Sequence, residues 1–269
     1  MMRVGCQTYT WEMLGPKWRG AVDDLLDAVA AAGYEGIEIT NSMIGEFAGR
    51  PADFAKAIKQ RELKLAAFAY ARPTGFTDPA ARPAELEGAE EALRFVAFFP
   101  GVVLALGGAS TPERADVERK IANAAAFYNE VGNRGKKLGV PVAFHPHSHH
   151  GSIFESRQEY NRIMELTDPE TVKWNPDSGH IIRGGQDLLD TLRRYGSRIV
   201  HVHLKDVDHQ NQWQPLGDGV ADVPAALAFL ENELRYDGWI VAEEESANAY
   251  RDQEGAIRAN RGYLKSLGY

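Results

Sequence analysis

The sequence predicts an α/β fold, a single (β/α)8 barrel, and three observations carry that prediction. Short apolar segments alternate with amphipathic helical segments along the whole chain, eight of each, the pattern of a parallel sheet that closes on itself. Polar, ligand-competent side chains gather where several of the apolar segments end, above all in the stretch VKWNPDSGHIIRGGQDLLDTLRRYGSRIVHVHLKD from Val172 to Asp206. Barrel enzymes carry their chemistry at those strand tips. Finally, 269 residues accommodate one barrel of roughly 250 residues. No linker, low-complexity tract or charge block divides the chain, so residues 1–269 read as one domain.

The elements follow in order. RVGCQTYT, Arg3 to Thr10, is the first strand. AVDDLLDAVAAAG sets Val22, Leu25, Leu26 and Val29 at helical spacing, with Gly33 as a left-handed stop. GIEIT is the second strand, with Ile37 and Ile39 on one face and Glu38 and Thr40 on the other. A helix from about Pro51 to Arg61 leads to the third strand, LKLAAFAY. The loop RPTGFTDPAARP is rich in proline and glycine, sits at a strand's C-terminal end and has the length of a lid. A helix from Glu85 to Phe99 precedes VVLALGG, apolar throughout as a strand covered on both faces should be. A long helix from about Pro112 to Leu138 precedes VPVAFHPH, and one near Arg157 to Leu166 precedes VKWNPD. A short amphipathic helix links that sixth strand to RIVHVHLKD. A helix from Val223 to Leu234, the strand WIVAE and a helix through Ala256 to Leu264 complete the eight units.

Composition excludes several classes. Thirty basic against 38 acidic residues give a net charge of −8, which argues against a nucleic-acid partner, since that needs a basic face. No apolar run approaches the roughly 20 residues of a transmembrane helix, and the N-terminus lacks a signal-peptide pattern. A cytoplasmic enzyme without a membrane partner is the expectation. A homo-oligomer is compatible with the sequence, which does not fix the oligomeric state. Cys6 is the one cysteine; in its apolar strand it reads as buried and inert.

Strand parity locates the chemistry. Barrel strands send alternate side chains inward. In RIVHVHLK, His201, His203 and Lys205 share one face; in VPVAFHPH, His145 and His147 do; in WIVAEEE, Glu243 and Glu245 do. A lone strand histidine is more often a hydrogen-bonded core residue than a ligand. Here, though, His145/His147, Asp177/His180, His203/Lys205 and Glu243 come from separate strand ends, and such a set suits a divalent ion such as Mn, Co, Zn or Mg. Glu244 should point away from the axis, and Glu245 should lie past the strand in solvent or at the rim. His201 is one pleat deeper, where it orients its neighbours. His149 and His150 read as a surface loop and His209 as solvated. PLGDGVADV lacks a GxGxxG or GxxxxGK[ST] pattern; it reads as a tight turn with Asp222 at a helix N-terminus.

These residues also carry a resemblance. GYEGIEI, VAFHPH, PDSGH, HVHLKD, GDGVAD and YDGWIVAE, in order along essentially the whole chain, resemble the xylose-isomerase-like superfamily of sugar isomerases and epimerases. Within it the chain is most similar to the branch with inosose (2-keto-myo-inositol) dehydratases. The resemblance implies a TIM barrel and a divalent metal held by two glutamates, an aspartate and a histidine. By position the aspartate is Asp177, the histidine His203 and the last-strand glutamate Glu243. His180 and Glu38 are then the expected substrate-binding groups. The fifth strand departs from the pattern, with His145 where many members carry a glutamate. Glu155, in the following GSIFES, is expected to reach back as fourth ligand, because a third carboxylate best balances a hard cation; His145 is the alternative.

The expected function is a divalent-metal-dependent isomerase or epimerase of a keto-sugar or polyol, acting through an enediolate. His145, His147, Glu155 or Glu243 could take the proton, and Lys205 could stabilise the oxyanion. Expulsion of a neighbouring hydroxyl from the same intermediate would make the chain an inosose dehydratase-type lyase. An inactive sugar-binding barrel is the alternative from another class, and the acidic balance disfavours a DNA-repair endonuclease.

Overall fold

The computed structural model describes residues 2–108, 114–148 and 152–269. Eight parallel strands form its sheet: β1 (Arg3–Gln7), β2 (Gly36–Thr40), β3 (Lys64–Tyr70), β4 (Val103–Leu106), β5 (Val142–Phe144), β6 (Val172–Trp174), β7 (Val202–Leu204) and β8 (Trp239–Ala242). Their order is β6-β5-β4-β3-β2-β1-β8-β7. Bridges from Trp174 to Ile199 and from Asp177 to His203 join β6 to β7 and close the ring. A helix follows each strand: α1 (Val22–Ala31), α2 (Pro51–Gln60), α3 (Arg82–Val96), α4 (Val117–Leu138), α5 (Arg157–Leu166), α6 (Leu188–Tyr195), α7 (Val223–Ala228) and α8 (Gln253–Ser266). The main core lies between sheet and helices, where Val22, Leu25, Leu26 and Val29 are buried at the spacing read from the sequence.

The barrel interior is layered by side-chain size. At its floor Trp239 and Val241 pack with Ala66, and Ala67 packs with Val103 and Ala143. Gly36 makes room for this plug: a Cβ there would lie 2.6 Å from the Trp239 ring. Alternation along the same strands then raises Gln7, Glu38, His145, His203 and Glu243 into the layer above. Apolar residues below and polar residues above are what give this barrel a floor and a reactive mouth.

Several boundaries depart from the sequence expectation. The first strand stops at Gln7, because Tyr9–Glu12 turns helical. The helix expected from about Pro112 begins at Val117, and Pro112 lies outside the described residues. The helix expected over Val223 to Leu234 is α-helical only to Ala228 and continues as a π turn, Phe229–Glu233. A hairpin of Asp206–Val207 with Trp213–Gln214 was not legible in the pattern. The loop read as a lid is fastened: Phe76 is buried and stacks on Phe127 with ring centroids 4.3 Å apart. PLGDGVADV is a turn in which the Asp206 carboxylate accepts the N–H groups of Gly217, Gly219 and Ala221. An anion of the protein itself therefore fills the loop, while Asp222 caps α7 through the N–H of Ala225 at 3.0 Å.

Candidate metal centre and reaction cleft

Four of the strand ends converge. His145, Asp177, His203 and Glu243 are all buried, and one ligand atom from each lies within 4.8 Å of the others. Each is set by a local feature. His145 follows β5, and its Nδ1 lies 3.1 Å from the carbonyl oxygen of Asn175. A carbonyl only accepts, so Nδ1 carries the proton and Nε2 keeps its lone pair; Nε2 is buried without a partner. Asp177 caps the short helix Ser178–Arg183, its Oδ1 accepting from the N–H of His180 at 2.7 Å, while Oδ2 is buried and unpartnered. His203 bonds through Nε2 to Glu38 at 2.8 Å and turns Nδ1 to Glu243 at 2.6 Å and Asp177 at 4.0 Å.

Burial and charge act together here. Burial and then the neighbouring His203 lower the pKa of His145 to about 3, which keeps this imidazole neutral. Burial raises Asp177 to about 6 against the pull of Lys205. For His203, burial opposes the charge, but Glu38 and Glu243 outweigh it and raise the pKa to about 10. Burial likewise opposes charge on Lys205; Glu243 and Glu245 reverse it and hold the ammonium above the ordinary lysine range. Two orphaned, buried ligand atoms facing a shared space, among two imidazoles and two carboxylates, fit a divalent cation.

The expected site residues do not all join this group. Glu155 stays outside it: its carboxylate lies 3.4 Å from Arg114, and its backbone carbonyl accepts from Gln186 at 2.7 Å. His145, the alternative, lies within the cluster. Glu38 is buried with both oxygens engaged, Oε1 by Gln7 at 2.7 Å and Oε2 by His201 at 2.7 Å and by His203. Glu38 thus supports His203 while also lining the cleft. His180 is also held inside: its Nδ1 accepts from the N–H of Ser148 at 2.9 Å, and its ring meets Trp213 edge-on. Lys205 reaches Glu243 Oε1 at 2.9 Å and also bonds Glu245, while its Nζ lies 4.3 Å from the Trp213 ring centre. Its ammonium is thus an anchor for carboxylates.

Above the cluster lies a cleft of about 230 Å³ at the strand C-termini, lined by Glu38, Thr40, Arg72, His145, His147 and Glu243 among others. His147 stands beside His145 and His180, with ring centroids 4.6 and 4.8 Å away. Gly108 allows this approach, since a Cβ there would lie 2.6 Å from the His147 ring. Glu245 is half-buried beside Lys205, a rim contact rather than a solvated group, and desolvation raises its pKa to about 7. Its parity with Glu243 held the signal that could have found it. Gln7, Ser148, Asn175 and Trp213 carried no such signal, because their roles depend on loop and strand neighbours remote in sequence. Glu244 faces away from the axis and accepts from Asn260 of α8 at 2.9 Å. His209 is exposed, and His149 and His150 lie outside the described residues. Cys6 is buried, and burial raises its thiol pKa. Among the described residues no helix is long and apolar enough to cross a membrane.

Comparison with known proteins agrees with this architecture. The profile of the xylose isomerase-like TIM barrel family matches residues 26–267. An inosose dehydratase of Geobacillus kaustophilus is 33% identical over 150 residues, 49% of this chain and 48% of that protein. The chain thus spans about half the length of the curated relatives it matches. Among solved structures, the IolI protein with a bound zinc atom superposes with a TM-score of 0.81 at 17% identity, covering 99% of this chain and 98% of that one. The 3-keto-D-glucoside 4-epimerase of E. coli superposes at 0.76 with 17% identity, covering 99% of each.

Proposed function

Because the chain belongs to the xylose isomerase-like TIM barrel family, we propose that it is a divalent-metal-dependent enzyme that dehydrates a keto-sugar or keto-polyol, an inosose dehydratase-type lyase. His145, Asp177, His203 and Glu243 would hold the ion. When bound, such an ion supplies a Lewis acid that stabilises negative charge developing on the substrate's carbonyl and hydroxyl oxygens. Glu38 orients His203, and Lys205 keeps Glu243 ionised and in place. His147, at the cleft wall, moves the proton. Its imidazole takes the proton from the carbon beside the carbonyl; as imidazolium it returns it to the neighbouring hydroxyl. The carbon–oxygen bond then breaks, water leaves and a carbon–carbon double bond forms.

The observation that carries the choice of dehydration is the imidazole pair at the end of β5. Two-base epimerisation is best served by a second carboxylate facing Glu243, and this chain puts His145 and His147 on that side. An imidazolium is also a better acid towards a leaving hydroxyl at neutral pH than an ordinary carboxyl group. The similarity to inosose dehydratases supports the same reading. Isomerisation or epimerisation, the outcome expected from sequence, is the second reading; the shared barrel of sugar epimerases favours it. Both begin with the same proton removal.

The deciding experiment incubates keto-inositols, ketohexoses and 3-keto-sugars with manganese-loaded protein in deuterated water and follows them by NMR. Dehydration gives an enone or diketone with loss of water. A deuterated isomer without an unsaturated product transfers the assignment to the isomerases. Absence of hydrogen exchange on every substrate overturns both.

A further inference from the structure

The N-terminal face of the barrel, opposite the reaction cleft, carries a bowl of about 360 Å³. It opens where β1, β3 and β8 begin. Arg3, Lys64 and Trp239 line it from those strands, Ile58 and Lys59 from the end of α2, and Phe99 from the turn before β4. We propose that this bowl is a second binding site, separate from the reaction. Its ligand is a small phosphate monoester with a hydrocarbon body, of the aryl or alkyl phosphate class.

Charge selects the head group. Arg3, Lys59 and Lys64 bring three cations to the lining, and no carboxylate lines it. None of these three side chains makes a hydrogen bond or an ion pair among the described residues. Elsewhere on the surface Arg61, Arg134 and Arg162 each hold two carboxylates. In a chain of net charge −8, three unmatched cations around one concavity make a local positive field that draws an anion. A phosphate monoester brings roughly two negative charges at neutral pH. The Arg3 guanidinium lies over the Trp239 ring, 4.4 Å from its centre, a contact that positions it without using its N–H donors. Those donors can grip two phosphate oxygens at once.

The rest of the lining selects the body. Ile58, Leu63, Leu65 and Val102 are buried and apolar, and no serine, threonine, asparagine or glutamine lines the bowl. The hydroxyls of a sugar phosphate would lose water there without a side-chain partner, whereas a hydrocarbon body loses nothing. The reaction cleft differs on this point, since Gln7, Glu38 and Thr40 line it. The bowl is also fixed by its backbone. The N–H of Leu63 donates to the Ile58 carbonyl at 3.0 Å, that of Val102 to Phe99 at 3.1 Å and that of Arg3 to Gly238 at 3.0 Å. Binding then has to order two lysine side chains and little else, in a space within the roughly 300–1,000 Å³ of usual ligand sites.

Calorimetric titration of the zinc-loaded protein with para-fluorophenyl phosphate tests the site, and broadening of the probe's fluorine NMR line gives a second readout. Neither needs turnover. The double variant Lys59→Gln, Lys64→Gln removes two exposed charges and should weaken binding by about tenfold or more. Arg72→Gln, which removes the cation lining the reaction cleft, should leave the affinity unchanged. Inorganic phosphate lacks the body and para-fluorobenzyl alcohol lacks the charge, so each should bind several-fold more weakly than the probe. Glucose phosphate should also bind more weakly. No binding of the probe, or binding that survives the lysine double variant and falls in Arg72→Gln, overturns the proposal. Inorganic phosphate or glucose phosphate binding as tightly as the probe overturns the hydrocarbon body. Capture on vesicles containing phosphatidic acid, without binding of the free probe, overturns it in favour of a lipid surface.

Discussion

Glu38 fixes one nitrogen of His203 and thereby aims the other: Oε2 of Glu38 lies 2.8 Å from Nε2, and Nδ1 of the same ring faces Glu243 at 2.6 Å. Gln7, opposite it on β1, and His201 brace the carboxylate. A carboxylate behind a metal-binding imidazole sets its orientation and raises its basicity. Glu38→Gln should therefore weaken metal affinity by about 10–100-fold, measured by calorimetric titration with Mn or Zn. Unchanged affinity with a raised KM would return Glu38 to the substrate-binding role expected from sequence.

The metal centre itself is tested by Asp177→Asn and Glu243→Gln. Each removes one negative charge from a cluster whose partners are buried, so each should strip metal from the purified protein and abolish turnover. Elemental analysis reads the first effect directly. Full occupancy in both variants would sink the ligand assignment.

His145 and Glu155 compete for the fourth position. In the structure His145 presents a partnerless Nε2 to the cluster, whereas the Glu155 carboxylate lies toward Arg114. His145→Ala should cost more metal affinity than Glu155→Ala. The opposite order would show that the carboxylate swings in when the ion binds.

Much of this site was legible because parity in a barrel strand is a strong constraint. His203 and Lys205, or Glu243 and Glu245, could be placed on one face from alternation alone, and the structure puts those side chains together. Alternation gives no depth, so the contact of Glu38 with His203 and that of Glu245 with Lys205 were not foreseen. Both omissions have the same physical source. The level at which a side chain meets the axis depends on strand stagger and on small residues that make room, here Gly36 against Trp239, and neither is written locally in the sequence. Loops were less legible still. The packing of RPTGFTDPAARP is an example: Phe76 is buried against Phe127 of α4, far along the chain.

That fastening gives a control. Phe76→Ala removes a fully buried ring stacked on Phe127 and should destabilise the protein by about 3–5 kcal/mol. Metal stoichiometry should stay the same, because no ligand touches the ring. Chemical denaturation read beside elemental analysis checks both. A stability loss near zero would mean that the loop is free to move after all.

The last prediction concerns Lys205, whose buried ammonium lies between Glu243 and Glu245. A lysine so deeply buried is held charged only because carboxylates surround it. Lys205→Met would leave those carboxylates facing one another without a cation, and breaking a buried ion pair in this way costs about 3–5 kcal/mol. Removing the second charge as well should recover part of the loss. The double variant Lys205→Met, Glu245→Gln is therefore expected to be more stable than Lys205→Met alone, with a coupling of about 1–3 kcal/mol in a double-mutant cycle. Metal should also stabilise Lys205→Met more than wild type, since the ion brings positive charge back beside Glu243. Denaturation curves with and without Mn measure each corner of the cycle. If Glu245→Gln gives no recovery, Glu245 is not an energetic partner of Lys205, and its place beside the ammonium is incidental to the fold.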